Sequence, residues 1–117
     1  MTDLTNIFKV LSDETRLRML MLLHKEALCV CELCGILELS QPKISKNLGK
    51  LRDMNIVADE RKEKFVFYTL KGDNPMLMAI LDELDATIDM HPKLLEDRAR
   101  LSEKEKYLNQ CTILALT

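Results

Sequence analysis

The sequence predicts a mainly α-helical fold of about five helices carrying one β-hairpin wing. Apolar residues recur at helical spacing through the first fifty positions and again after Pro75, one β-branched and aromatic stretch between Ile56 and Leu70 breaks that period, and capping or turn residues mark the boundaries. A chain of 117 residues, 47% hydrophobic and 31% charged, is the size of a single domain, 1–117, with one core. No apolar run approaches the roughly 18 residues of a membrane span. Met1-Thr2-Asp3-Leu4 lacks the basic start and long apolar stretch of a secretory signal, so a cytoplasmic protein without membrane association is expected.

Leu4, Ile7, Phe8 and Leu11 give the first helix, and Ser12-Asp13-Glu14 supplies a cap and an acidic first turn for the second, which carries Leu17, Leu20, Met21 and Leu23 to about Glu26. Leu28-Cys29-Val30 reads as a short extended link, followed by a third helix from Cys31 to Leu37. After Glu38-Leu39-Ser40, the Ser40 hydroxyl and Pro42 start a fourth helix whose Ile44, Leu48 and Leu51 form one buried face. Ile56-Val57-Ala58 and Phe65-Val66-Phe67-Tyr68-Thr69-Leu70 are the strands of a hairpin with Asp59 to Lys64 as its charged tip. Met76, Ile80, Leu84 and Ile88 line a long helix that Pro92 interrupts. Residues 91–117 form a C-terminal tail, helical in period at first and ending in apolar Ile113-Leu114-Ala115-Leu116.

Two short helices across a three-residue turn, the second polar and basic, followed by a hairpin, are the parts of a winged helix-turn-helix, with 31–54 as the helix-turn-helix and 56–70 as the wing. The net charge of −2 conceals a cationic centre: from Gln41 to Gly72 eight basic residues face four acids, whereas from Asp73 to Lys106 nine acids face five bases. On the fourth helix Ser40 caps the first turn, Gln41, Ser45 and Asn47 can hydrogen-bond base edges, and Lys43, Lys46 and Lys50 can neutralise phosphates. Arg61, Lys62 and Lys64 on the wing reach the backbone or minor groove beside it. Double-stranded DNA is the implied partner.

Leu28-Cys29-Val30-Cys31-Glu32-Leu33-Cys34 followed by Ser40-Gln41-Pro42-Lys43-Ile44-Ser45-Lys46-Asn47-Leu48 resembles the ArsR/SmtB family of metal-responsive repressors, in particular its arsenic-responsive ArsR branch. The resemblance runs from Phe8 through Phe67-Tyr68 and weakens after about Ile88; Asn47 stands where many members have His. It implies a homodimer built on the first and last helices (here 1–11 and 75–90), an inverted-repeat operator, and repression lifted by an inducer. Zinc-responsive members carry Asp-x-His in the last helix and His-x-x-Glu about ten residues later. Asp89-Met90-His91 matches the first half only, Ser102 standing in the second, so His91 reads as a helix-end or surface residue.

Three cysteines spaced Cys-x-Cys-x-x-Cys, in a chain without an export signal, read as ligands or redox groups and not as a disulfide framework. Thiolates suit soft acceptors, and the positive end of a helix dipole favours ionisation of Cys31 more than of Cys34. Trivalent arsenic or antimony takes a three-sulfur pyramid, which Cys29, Cys31 and Cys34 satisfy alone, whereas zinc usually needs a fourth ligand. At roughly 100° per helical residue Cys31 and Cys34 lie about 60° apart, but Cys29 lies about 140° from Cys34 and about 160° from Cys31. Closing three bonds on one ion must therefore hold Cys29 in an extended lead-in or unwind the first turn. Arsenite or antimonite is thus the expected inducer, with cadmium, lead or thiol oxidation as alternatives acting on the same residues. Cys31-Glu32-Leu33-Cys34 is a C-x-x-C pair without the βαβ context of a dithiol oxidoreductase, and neither His24 nor His91 forms part of a nucleophilic triad, so no enzymatic activity is expected. Cys111 stands apart as a spare thiol.

Overall fold

Asp13 ends the first helix and caps the second. Its carboxylate accepts the Arg16 N–H at 3.0 Å, so α1 (Thr2–Leu11) passes into α2 (Glu14–Leu23) across Ser12 and Asp13. The computed structural model describes residues 2–108; Cys111 and the apolar stretch 113–116 lie outside the described residues. After β1 (Leu28–Cys29), α3 (Val30–Leu37) and α4 (Gln41–Asp53) form the helix-turn-helix. Glu38, in the left-handed region at φ 57°, ends α3, and Ser40 opens α4 by accepting the Lys43 N–H at 3.4 Å. Ile44, Leu48 and Leu51 turn one face of α4 into a core that also takes Val10, Leu20, Leu33, Ile36 and Leu81. Fully burying each such side chain contributes about 1.5–3 kcal/mol, which is what pins the polar face outward.

The wing consists of β2 (Val57–Lys62) and β3 (Phe65–Leu70), antiparallel from Val57↔Leu70 to Lys62↔Phe65. The ladder therefore runs through the charged residues expected to be a loop, and only Glu63 and Lys64 turn, Glu63 at φ 59°. The reason lies in the partner strand: Asp59, Glu60, Arg61 and Lys62 are each paired with Tyr68, Phe67, Val66 or Phe65, whose strand propensity extends the ladder under charged side chains. A second departure is that Leu28-Cys29 is no mere link. It is the third strand, giving the order β1-β3-β2, with Leu28 opposite Tyr68 and Cys29 opposite Phe67.

The final helices also differ from the expectation of one long helix and a tail. Asn74 caps α5 (Pro75–Ala86), which stops where the Thr87 hydroxyl donates back to the Glu83 carbonyl at 2.9 Å. A 3-10 turn, Ile88–Met90, leads to α6 (Pro92–Ala99), and a second, Arg100–Glu103, leads to helical residues 104–108. Pro92 thus starts a helix in its tolerated first turn instead of ending one. This segment joins the body: Leu94 and Tyr107 are buried, and Asp97 pairs with Arg18 of α2 at 2.8 Å.

Candidate nucleic-acid interface and thiol cluster

Ser40, Gln41, Lys43, Ser45, Lys46 and Lys50 all lie exposed on α4, away from the face that carries Ile44, Leu48 and Leu51. Asn47 does not join them. It is 8% exposed; its Nδ2 donates to the Lys43 carbonyl at 2.9 Å and its Oδ1 accepts from Arg16 Nε at 3.0 Å, so its amide ties α4 to α2 and is turned away from the exposed face. Position 47 looked polar and outward in the sequence because the partner, Arg16, lies 31 residues away. On the wing, Arg61, Lys62 and Lys64 are exposed; Arg61 Nε donates to the Glu63 carbonyl across the turn, and the Lys64 ammonium lies 5.7 Å from the Phe65 ring centre. Arg52 Nη1 reaches Asp59 at 3.2 Å, bracing the end of α4 against β2. Exposed cations thus lie on α4 and on the wing, two elements joined by the Arg52–Asp59 contact, the residue types that can meet a phosphate backbone.

The thiols sit where β1 becomes α3. Cys29 is 3% exposed and occupies the cap position of α3 with extended backbone, φ −93° and ψ 170°, so it stands outside the helix that holds Cys31 and Cys34. Glu32, buried, completes a reciprocal cap: the Cys29 N–H donates to Glu32 Oε1 at 3.1 Å and the Glu32 N–H points back to the Cys29 sulfur. The spacing Cys29-x-x-Glu32 carries the signal of such a box, which a cysteine in the capping place disguises. Burial pushes the Cys29 thiol up to about 11, with the Glu32 charge adding to it against the opposing backbone N–H bonds. Burial also pushes the Cys34 thiol up, outweighing a backbone hydrogen bond that lowers it. Cys29 and Cys34 are free thiols, whereas Cys31 is disulfide-bonded and needs reduction before it can bind an ion. Among the described residues no three His, Cys, Asp or Glu side chains are already gathered to hold a metal.

The histidines are engaged elsewhere: His24 Nε2 meets Asp82 at 2.7 Å and His91 Nε2 meets the Thr87 hydroxyl at 3.2 Å. Among the described residues no helix is long and apolar enough to cross a membrane.

Comparison with known proteins places this arrangement. The family model described as "Bacterial regulatory protein, arsR family" matches residues 13–59, from α2 through the thiol helix and α4 into the wing. The chain is 43% identical over 99 residues to the arsenic resistance transcriptional regulator ArsR1 of Pseudomonas putida, covering 83% of this chain and 76% of that one. It is 46% identical over 79 residues to the arsenical resistance operon repressor of Escherichia coli, covering 66% of this chain and 68% of that one. Among solved structures it is similar to HlyU from Vibrio cholerae, with a TM-score of 0.66 and 31% identity over 74% of this chain and 91% of that chain. Exposed basic helix, adjoining wing and the likeness in both sequence and fold agree: the chain belongs to the ArsR family of DNA-binding winged-helix transcriptional repressors.

Proposed function

We propose that the protein is a homodimeric cytoplasmic repressor that holds an inverted-repeat operator through α4 and the wing, and releases it when reduced Cys29, Cys31 and Cys34 capture arsenite or antimonite. The observation that carries the inducer assignment is the place of Cys29: its backbone pairs with Phe67 of β3 while it caps α3. Drawing its sulfur toward Cys31 and Cys34 pulls on the wing strand and on the first turn of α3 together. Both relatives named above are arsenic-resistance regulators, which favours a metalloid as inducer. In this reading Gln41 and Ser45 read bases, Ser40, Lys43, Lys46 and Lys50 hold the backbone, Arg61, Lys62 and Lys64 anchor the wing, and Asn47 keeps α4 in register from within. Dimerisation through 1–11 and 75–90 suits the exposed Phe8 (53%) and Met76 (48%) on α1 and α5. The deciding experiment is fluorescence anisotropy of a labelled duplex from the protein's own promoter, titrated with reduced protein with and without stoichiometric arsenite. Binding that arsenite weakens supports both halves; binding that it leaves unchanged removes the metalloid.

Two further results are expected. Lys46→Ala should weaken operator and unrelated duplexes alike and lower the slope of log affinity against log salt by about 0.9, measured by repeating the titration from low to high salt; an unchanged slope would remove Lys46 from the phosphate contacts. The second concerns pH. With Cys29 held up at about 11 and Cys34 also raised, both thiols are protonated at neutral pH. Capture of neutral arsenous acid by three thiols forms three S–As bonds, breaks three As–O bonds and releases three waters, with no net proton exchanged. Cadmium instead displaces a proton from each thiol, so its affinity rises about tenfold per pH unit for each proton lost. Arsenite affinity, followed by the sulfur-to-arsenic absorption in the near ultraviolet, should not rise between about pH 6.5 and 8 while cadmium affinity climbs. An arsenite affinity that climbs as steeply would contradict three-thiol capture.

A further inference from the structure

The last four carbonyls of a helix lack partners within it. In α3 all four are taken, and mostly from far along the chain. The Cys34 carbonyl accepts the Leu39 N–H at 3.2 Å, as an ordinary helix end does. The next three are held by guanidinium groups: Arg100 donates to the Ile36 carbonyl at 2.6 Å and the Gly35 carbonyl at 3.0 Å, and Arg18 donates to the Leu37 carbonyl at 3.3 Å. Two cations thus stand at the negative end of the α3 dipole. Each is itself fixed by the C-terminal segment. Asp97 of α6 grips Arg18 with two bonds of 2.8 and 2.9 Å, and the Tyr107 hydroxyl accepts from Arg100 at 3.0 Å. Arg100 also pairs with Glu38 at 3.3 Å, the residue that begins the turn into α4. The Tyr107 ring lies so close over Gly35 that a Cβ at that position would fall within it.

We propose that residues 92–107 are an intramolecular clamp that fixes the joint between α3 and α4, so that sequence-specific DNA affinity is set by a segment outside the DNA-binding face. The clamp grips α3 at its C-terminal carbonyls and the turn at Glu38, and α4 begins two residues later at its Ser40 cap. With the clamp closed, α4 is presented in one orientation. With Arg100 removed, the Gly35 and Ile36 carbonyls and Glu38 lose their common partner, and α4 samples several orientations. Phosphate contacts tolerate that spread because they act through charge at a distance; contacts to base edges do not. The proposal rests on DNA binding by α4 and not on the thiol chemistry.

The test is Arg100→Gln, with Arg100→Lys beside it, both as full-length reduced protein. The probe is a labelled duplex enriched by the wild type from a random-sequence library, compared with an unrelated duplex of equal length. Arg100→Gln should bind the enriched duplex about tenfold more weakly and the unrelated duplex within about twofold of wild type, so that the specificity ratio falls. Arg100→Lys, which keeps the charge but can serve fewer carbonyls, should recover part of that ratio. Equal losses on both duplexes, as from a smaller folded fraction, would overturn the clamp, as would an unchanged ratio. Failure of the wild type to enrich any duplex would instead remove DNA binding by α4, and the clamp with it.

Discussion

Cys31→Ser should leave the operator affinity of the reduced protein within about twofold of wild type and abolish its response to arsenite, turning a weakening of about 5- to 150-fold into none. The contrast arises because position 31 matters to the ligand and little to the resting fold. Cys31 lies in the first turn of α3 and is only partly buried, so a hydroxyl can replace its sulfur without opening a cavity. Serine oxygen is a hard donor, and the two remaining thiols cannot complete the three-sulfur pyramid that opposes the arsenic lone pair. Cys29→Ser is a poorer probe despite its role in the same site. It places a hydroxyl in a buried position bounded by Glu32 and by the β1–β3 pairing, so any loss of response would be mixed with loss of structure. The measurement is the anisotropy titration with and without arsenite, paired with the near-ultraviolet sulfur–arsenic band. Full induction retained by Cys31→Ser would exclude the three-cysteine sensor, leaving the repressor to respond through other groups. A thiol-redox repressor is the second reading, since it would use the same cysteines; it requires oxidation by diamide to change operator affinity with no metalloid present.

The parts of this molecule that short-range patterns govern could be read from its sequence. Ser40 and Pro42 announce α4, Ser12-Asp13-Glu14 announces α2, and the 3.6-residue spacing of Ile44, Leu48 and Leu51 tells which face of α4 is buried. The extended placing of Cys29 was read from the link Leu28-Cys29-Val30, while helical geometry left either an extended lead-in or an unwound first turn once an ion is bound. Long-range partners were hidden. Asn47 looked exposed because Arg16, which holds its amide oxygen, lies 31 residues away, and Leu28-Cys29 looked like a link because a two-residue strand has no period of its own and depends on Tyr68 and Phe67 across the sheet. The charged run 59–62 lacked strand character until paired with an aromatic strand. Likewise, nothing local distinguishes Asp97 and Arg100 from the solvated charges around them. Their function comes from carbonyls and a guanidinium more than sixty residues away.

Asp97→Ala should destabilise the protein by about 3–5 kcal/mol, a large share of the 5–15 kcal/mol typical of a domain. Arg18 is 8% exposed and Asp97 2% exposed, and the carboxylate supplies two of the three hydrogen bonds the guanidinium makes. Without it a buried positive charge keeps only the Leu37 carbonyl, and desolvation that the ion pair had offset is left uncompensated. The loss is read from urea unfolding at fixed protein concentration, since the proposed dimerisation would make apparent stability concentration-dependent. The double variant Arg18→Met with Asp97→Leu separates the charge from the packing. Removing both charges and refilling the space should restore most of the stability, because a buried pair contributes little net energy against well-packed apolar groups of similar size. The same double variant should not restore the specificity ratio. Methionine cannot donate to the Leu37 carbonyl, so the end of α3 stays partly uncapped even in a stable protein. A double variant that regains both stability and full sequence discrimination would show that the Arg18–Asp97 pair serves only the core; one that regains stability alone would place the pair, with Arg100, in the control of α4.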